Sequence, residues 1–159
     1  MSPAVLNSVY RISNNEGYLS ASQLVFATTA YDYSPSDLTL YQQKYGIPVH
    51  GVTDVNGHAS DSACVSTPSS CGTTNLMLQV MTALSQYPTT TTYYTDTDIG
   101  AWLLDMADTP NPPLVQILGY IYPEANIPIT FLQSFDTELV KVRMLAEDYP
   151  YDTVFPSLV

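Results

Sequence analysis

Ser22-Gln23-Leu24-Val25-Phe26-Ala27-Thr28 is the stretch that decides the fold class. Four consecutive apolar residues span a strand's length, with β-branched and aromatic members among them. Neighbouring side chains in a strand point to opposite faces. An unbroken apolar run therefore means burial on both faces, the habit of a parallel sheet covered on each side.

The chain around this run supplies the covering layers. Ser2-Pro3 opens a short helix to about Tyr10, with Ser as cap and Pro at the first helical position. Asn14-Asn15-Glu16-Gly17 reads as a turn. Ser34-Pro35-Ser36-Asp37 is a helix start, and Leu38, Tyr41 and Tyr45 then share a face until Gly46 and Pro48 end it. Val49 to Val52 reads as a second strand, and Thr53 to Thr74 as a Gly/Ser/Asp-rich loop. Asn75 to Gln86 is a helix with Leu76, Val80, Met81 and Leu84 inward. Thr89 to Thr95, β-branched and aromatic, is a strand. Asp96 to Asp108 is a helix carrying Ile99, Trp102, Leu103 and Met106, broken by Asn111-Pro112-Pro113. Leu114 to Tyr120 reads as the strongest strand, at the centre of the sheet. Thr130 to Glu147 is a long helix with Phe131, Phe135, Leu139, Val142 and Leu145 inward, and Tyr149 to Val159 is irregular. Strands alternating with helices imply βαβ crossovers, hence an α/β fold: a mostly parallel sheet with helices on both faces. At 159 residues the chain reads as one domain.

Composition excludes some partners. Fifteen Asp and Glu face four bases, Arg11, Lys44, Lys141 and Arg143, for a net charge of -11. Nothing there neutralises phosphates, so nucleic acid and anionic membranes are poor partners. The same charge suits acidic surroundings, where carboxylates partly protonate, and it also simply favours solubility. No run of 18 apolar residues exists, so no membrane span is expected. Cys64 and Cys71 read as a local disulfide in an oxidising compartment, with two unrelated thiols as the other reading. With only two lysines and many Tyr, Thr and Ser, the chain fits a secretory, lumenal or extracellular home, although Met1 to Leu6 has no basic-then-apolar leader.

Several blocks resemble the sedolisin (serine-carboxyl peptidase, tripeptidyl-peptidase-like) catalytic domain. They are Gln23-Leu24-Val25-Phe26, Ser34-Pro35-Ser36-Asp37-Leu38 through Tyr45-Gly46-Ile47-Pro48-Val49, Thr92-Tyr93-Tyr94-Thr95-Asp96, Trp102-Leu103, and Asn111-Pro112-Pro113-Leu114-Val115, in the family's order. The resemblance implies a subtilisin-like fold. It also implies a Ser nucleophile, a Glu base, an Asp that orients it, and a second, protonated Asp at the oxyanion. A carboxylate base must reach the hydroxyl, and a neutral acid must donate to the developing charge.

This chain departs from that pattern at each catalytic position. The family's Glu-Ala-x-Leu-Asp-Val-Gln is similar to Thr73-Thr74-Asn75-Leu76-Met77-Leu78-Gln79, which puts Thr73 at the Glu and Met77 at the Asp. The oxyanion Asp falls on Ala125, in Gly119-Tyr120-Ile121-Tyr122-Pro123-Glu124-Ala125. No Gly-Thr-Ser tripeptide occurs. The expectation is a truncated, non-catalytic sedolisin-like domain over residues 1–159, a pseudoenzyme with no cofactor, metal or catalytic residue. A protein partner or a homo-oligomer would cover the sheet edge exposed by the lost half. The alternatives are one fragment of a processed peptidase, and a module holding peptides in the old cleft. Outside the resemblance, Cys64, Cys71, His50 and His58 lack the paired spacings of zinc sites. His50 and His58 lie near Asp54 and Asp61 in sequence, but a Ser-His-Asp triad requires convergence that spacing does not supply.

Overall fold

The computed structural model describes residues 2–28, 31–55, 57–95, 99–119 and 126–147. Four parallel strands form one sheet: β1 (Ser22–Thr28), β2 (Thr53–Val55), β3 (Thr89–Thr95) and β4 (Val115–Leu118), in the order β2-β3-β1-β4. Among the described residues six helices flank it: α1 (Pro3–Tyr10), α2 (Pro35–Tyr45), α3 (Asp61–Ser66), α4 (Pro68–Leu84), α5 (Ile99–Asp108) and α6 (Ile129–Glu147). The α/β class read from the sequence is the class observed.

β1 is interior. It pairs with β3 from Ser22↔Thr89 to Thr28↔Thr95, and with β4 from Gln23↔Val115 to Phe26↔Leu118. Gln23 to Thr28 are all buried, as the unbroken apolar run requires. The strand's alternation divides the core. Leu24 and Phe26 face α5 and α6, against Trp102, Leu103, Met106 and Val142. Val25 faces the other way, with Tyr33, Leu38 of α2, and Leu78 and Met81 of α4. Each large apolar side chain so buried contributes about 1.5–3 kcal/mol. Buried Gln23 is satisfied locally, its Nε2 donating to Thr90 Oγ1 at 2.8 Å and to the Ser85 carbonyl at 3.1 Å.

The helix starts are chemically explicit. Ser34 caps α2 by accepting from the Asp37 amide at 3.0 Å, with Pro35 at the first position. Gly46 ends α2 at φ 65°, a left-handed conformation that favours glycine.

Six sequence expectations need correction. Val49 to Val52 is not a strand: Val49 is exposed, and β3 instead takes Thr53–Val55, where Asp54 bonds to Thr92 across the pair. Thr53 to Thr74 is not a loop. It holds β2, all of α3 and the start of α4, seven residues ahead of Asn75. Ser60 caps α3 by accepting from the Ala63 amide, and Thr67-Pro68 opens α4. Polar composition there serves caps and exposed helix faces. The inward face of α4 includes Cys71, Thr74, Leu78, Met81 and Thr82, while Leu76 is exposed. On α2, Gln42 is buried where Tyr45 was expected, and on α6 Leu139 is 39 % exposed. Leu114 to Tyr120 is not central: β4 is short, is the sheet's edge among the described residues, and leaves Val115 55 % exposed. Tyr120, Ala125, Asp96 to Asp98 and Tyr149 to Val159 lie outside the described residues, as does the side chain of Leu145.

Candidate functional site

The carboxyl ends of parallel strands are where an α/β sheet presents its loops to ligands. Here the segments that follow β1 and β2 close over the end of β3. Tyr33 and Ala59 form a parallel bridge, with the Tyr33 amide donating to the His58 carbonyl at 3.2 Å and the Ser60 amide to the Tyr33 carbonyl at 2.9 Å. The bridge places His58 on the last turn of β3, where its ring stacks on Tyr94. Asp32, just past β1, pairs with His58: Oδ1 to Nδ1 is 2.7 Å, with both side chains partly exposed. Asp32 therefore fixes the orientation of the imidazole and directs Nε2 away from itself.

A second polar knot ties the same loops to the helices. Ser34 Oγ donates to Asp61 Oδ1 at 2.7 Å, and the Ser36 hydroxyl and amide reach the same oxygen at 2.9 and 3.1 Å. The Ser34 amide donates to Asn75 Oδ1 of α4 at 2.8 Å. These donors hold the Asp61 carboxyl below the usual aspartate range, the Ser34 hydroxyl first among them. Asp54 accepts from the Ala59 amide and from Thr92 Oγ1, each at 3.0 Å. Burial, and then the charges of Asp54 and Asp61, push the Tyr33 hydroxyl up to about 12.

The positions singled out by the family resemblance lie beside this region. Thr73 and Met77 sit one turn apart on α4 and both reach Gly119, just past β4. A Cβ on Gly119 would collide with the Met77 thioether and touch the Thr73 methyl. Two uncharged side chains thus fill the space at the end of β4, and the third position, Ala125, falls outside the described residues.

His50 and His58 do not converge. His50 packs edge-on against Tyr87, which precedes β3, whereas His58 lies over its far end. His58 takes Asp32 as its partner rather than Asp54 or Asp61. The hydroxyls of Ser34 and Ser36 are committed to Asp61, so the Asp32–His58 pair has no serine nucleophile from that source. Sequence reasoning missed Asp32 and Tyr94. The partial signal was position: Asp32 lies in the segment after a buried parallel strand, and Tyr94 nearly ends another.

Cys64 and Cys71 are joined in a disulfide, with Cα atoms 5.5 Å apart, which links α3 to α4 and leaves neither thiol for a metal. Among the described residues no group of three or more His, Cys, Asp or Glu side chains converges. No described helix is long and apolar enough to cross a membrane. Neither a family model nor a curated protein matches the chain.

Proposed function

We propose that this chain is a non-catalytic, sedolisin-like, subtilisin-related α/β unit with a structural or protein-interaction role in a larger assembly. The observation that carries the reading is the contact of Thr73 and Met77 with Gly119. At the place where the resemblance calls for a base and its orienting acid, a threonine and a methionine pack their methyl and thioether against backbone. Neither takes a proton from a serine at any ordinary pH. Their role is to close the end of β4.

The interaction half of the proposal rests on β4. Its Val-Gln-Ile-Leu carries no charge, its outer edge has no strand beside it among the described residues, and Val115 stands in solvent. A flat, uncharged edge is a template for another strand. The partner is another protein, or a second fragment of the same scaffold. The disulfide suits an oxidising compartment, which supports a secretory, lumenal or extracellular setting.

Native mass spectrometry of the chain purified from its source tests the interaction role. A complex with another polypeptide is expected, and Val115→Lys should release it by placing a charge on the edge. A chain recovered alone at every concentration contradicts the proposal. A specific observation favours a second reading: the oriented His58, with Tyr94 beneath it, at the loop edge of the sheet. Under that reading the old cleft holds peptides without cutting them. Binding to a peptide array that disappears in His58→Ala distinguishes it from a purely structural subunit.

A further inference from the structure

α6 has two unlike sides. Phe131, Phe135 and Val142 turn inward, with Phe135 and Val142 joining the core cluster that contains Trp102 and Leu103 of α5. On the opposite side, at the 100° spacing of a helix, Ile129, Asp136, Val140, Arg143 and Met144 form one stripe. Ile129, Val140 and Met144 are 66, 56 and 63 % exposed. Asp136 and Arg143 are exposed as well. A helix that covers its own core on one side has no structural need for three large apolar residues on the other.

Near the middle of α6, Asp136 and Glu138 come before Lys141 and Arg143, and Glu147 ends the helix. Half of the four bases in the chain therefore fall within three positions of one helix. If a second α6 runs antiparallel, turned about a point between Leu139 and Val140, each position meets its mirror. Asp136 then lies opposite Arg143, and the reverse holds on the other side of the axis, with Val140 near the centre. A two-fold axis makes this contact self-complementary, with Met144 beside Val140 on the same side of the helix. The pattern satisfies both requirements of an isologous interface, an apolar centre and flanking charges of opposite sign.

We propose that the outer face of α6 is a self-association surface occupied by a second copy of this chain in an antiparallel two-fold pair. The surface is separate from the β4 edge and from the Thr73–Met77 contact, so it stands or falls independently of the proposed function. The net charge of -11 opposes association in general. α6 carries two bases against three acids, so its own share of that charge is small, and at physiological salt repulsion from more distant charges is screened beyond about 8 Å. Arg143 also has an interaction within its own chain, and the five N–H donors of a guanidinium serve two partners at once.

Sedimentation velocity across the micromolar range, with charge reversals, tests the pairing. Asp136→Arg and Arg143→Asp should each weaken dimerisation at least about tenfold, because each sets like charges together on both sides of the axis. The double variant Asp136→Arg/Arg143→Asp should recover to within about threefold of the native chain, since it restores both pairs with their signs exchanged. Within one chain the two residues are two turns apart and do not face each other, so recovery requires a second copy. The positions are exposed, and unchanged thermal melting checks that each variant folds. As an independent measurement, Val140→Cys should form a disulfide-linked dimer at least about tenfold faster than Leu40→Cys on the exposed side of α2, because it sits near the axis. A native chain that stays monomeric, a dimer indifferent to the charge reversals, or cross-linking equal at positions 140 and 40 overturns the proposal.

Discussion

Above the end of β3, polar groups find their partners inside the chain, whereas on the β4 and α6 side apolar groups do not. In the first region Asp32 holds His58, Asp54 holds Ala59 and Thr92, and Asp61 gathers Ser34 and Ser36. In the second, Val115, Ile129, Val140 and Met144 meet water. The contrast locates function by what is left over. A region that satisfies itself holds the fold together, and a region that exposes apolar surface and an uncharged strand edge is where the proposed partners would dock.

The largest expected effect sharpens this contrast at the sheet. Phe26→Ala on interior β1 should cost about 3–5 kcal/mol in urea unfolding, because it empties a space walled by Trp102 and Leu103. Leu118→Ala on edge β4 should cost roughly 1–2 kcal/mol, since that side chain is only partly buried. Equal losses would mean that β4 is not an edge. Next in size is the disulfide. Replacing Cys64 and Cys71 together by Ala opens a short loop whose closure is worth roughly 2–3 kcal/mol, read from the same unfolding curves. The melting of α6 by hydrogen exchange should then change less than that of α3 and the start of α4. Ser34→Ala follows at about 1–2 kcal/mol, through loss of the α2 cap. A loss no larger than that of an exposed serine would show that the Ser34 knot does not hold the first region together.

The smallest effects are those of pH. The Asp61 carboxyl titrates below its unfolded value, so its contribution is present above the ordinary aspartate pKa and is lost as pH falls toward the lowered one. Asp61→Asn should flatten the acid limb of the stability profile. The Tyr33 hydroxyl shows the opposite sign: it stays neutral in the fold up to about 12 against a reference of 10.0, so stability should fall as pH rises between those values. Tyr33→Phe should remove that alkaline loss. An acid limb indifferent to Asp61→Asn would contradict the assigned hydrogen bonds.

What was legible in the sequence follows the same division. The buried run at β1, the caps of α2 and the apolar faces of α5 are local signals, and each was read with its type and nearly its bounds. β2, α3 and the first turns of α4 were missed because Ser, Thr and Gly there have weak helical preference and are held by contacts from elsewhere, the disulfide among them. The Asp32–His58 pair spans 26 residues and depends on a bridge between two loops, which no spacing rule encodes. The disulfide was legible because its two cysteines are close in sequence.

The central proposal is that the space at the end of β4, filled by Thr73 and Met77, carries no peptidase chemistry. A fluorogenic peptide library, assayed with the purified chain at about pH 4, where carboxyl groups sit near their pKa values, tests it most directly. The account predicts no turnover above the buffer blank, and none in the presence of a serine-directed probe. Turnover that the probe abolishes would contradict it.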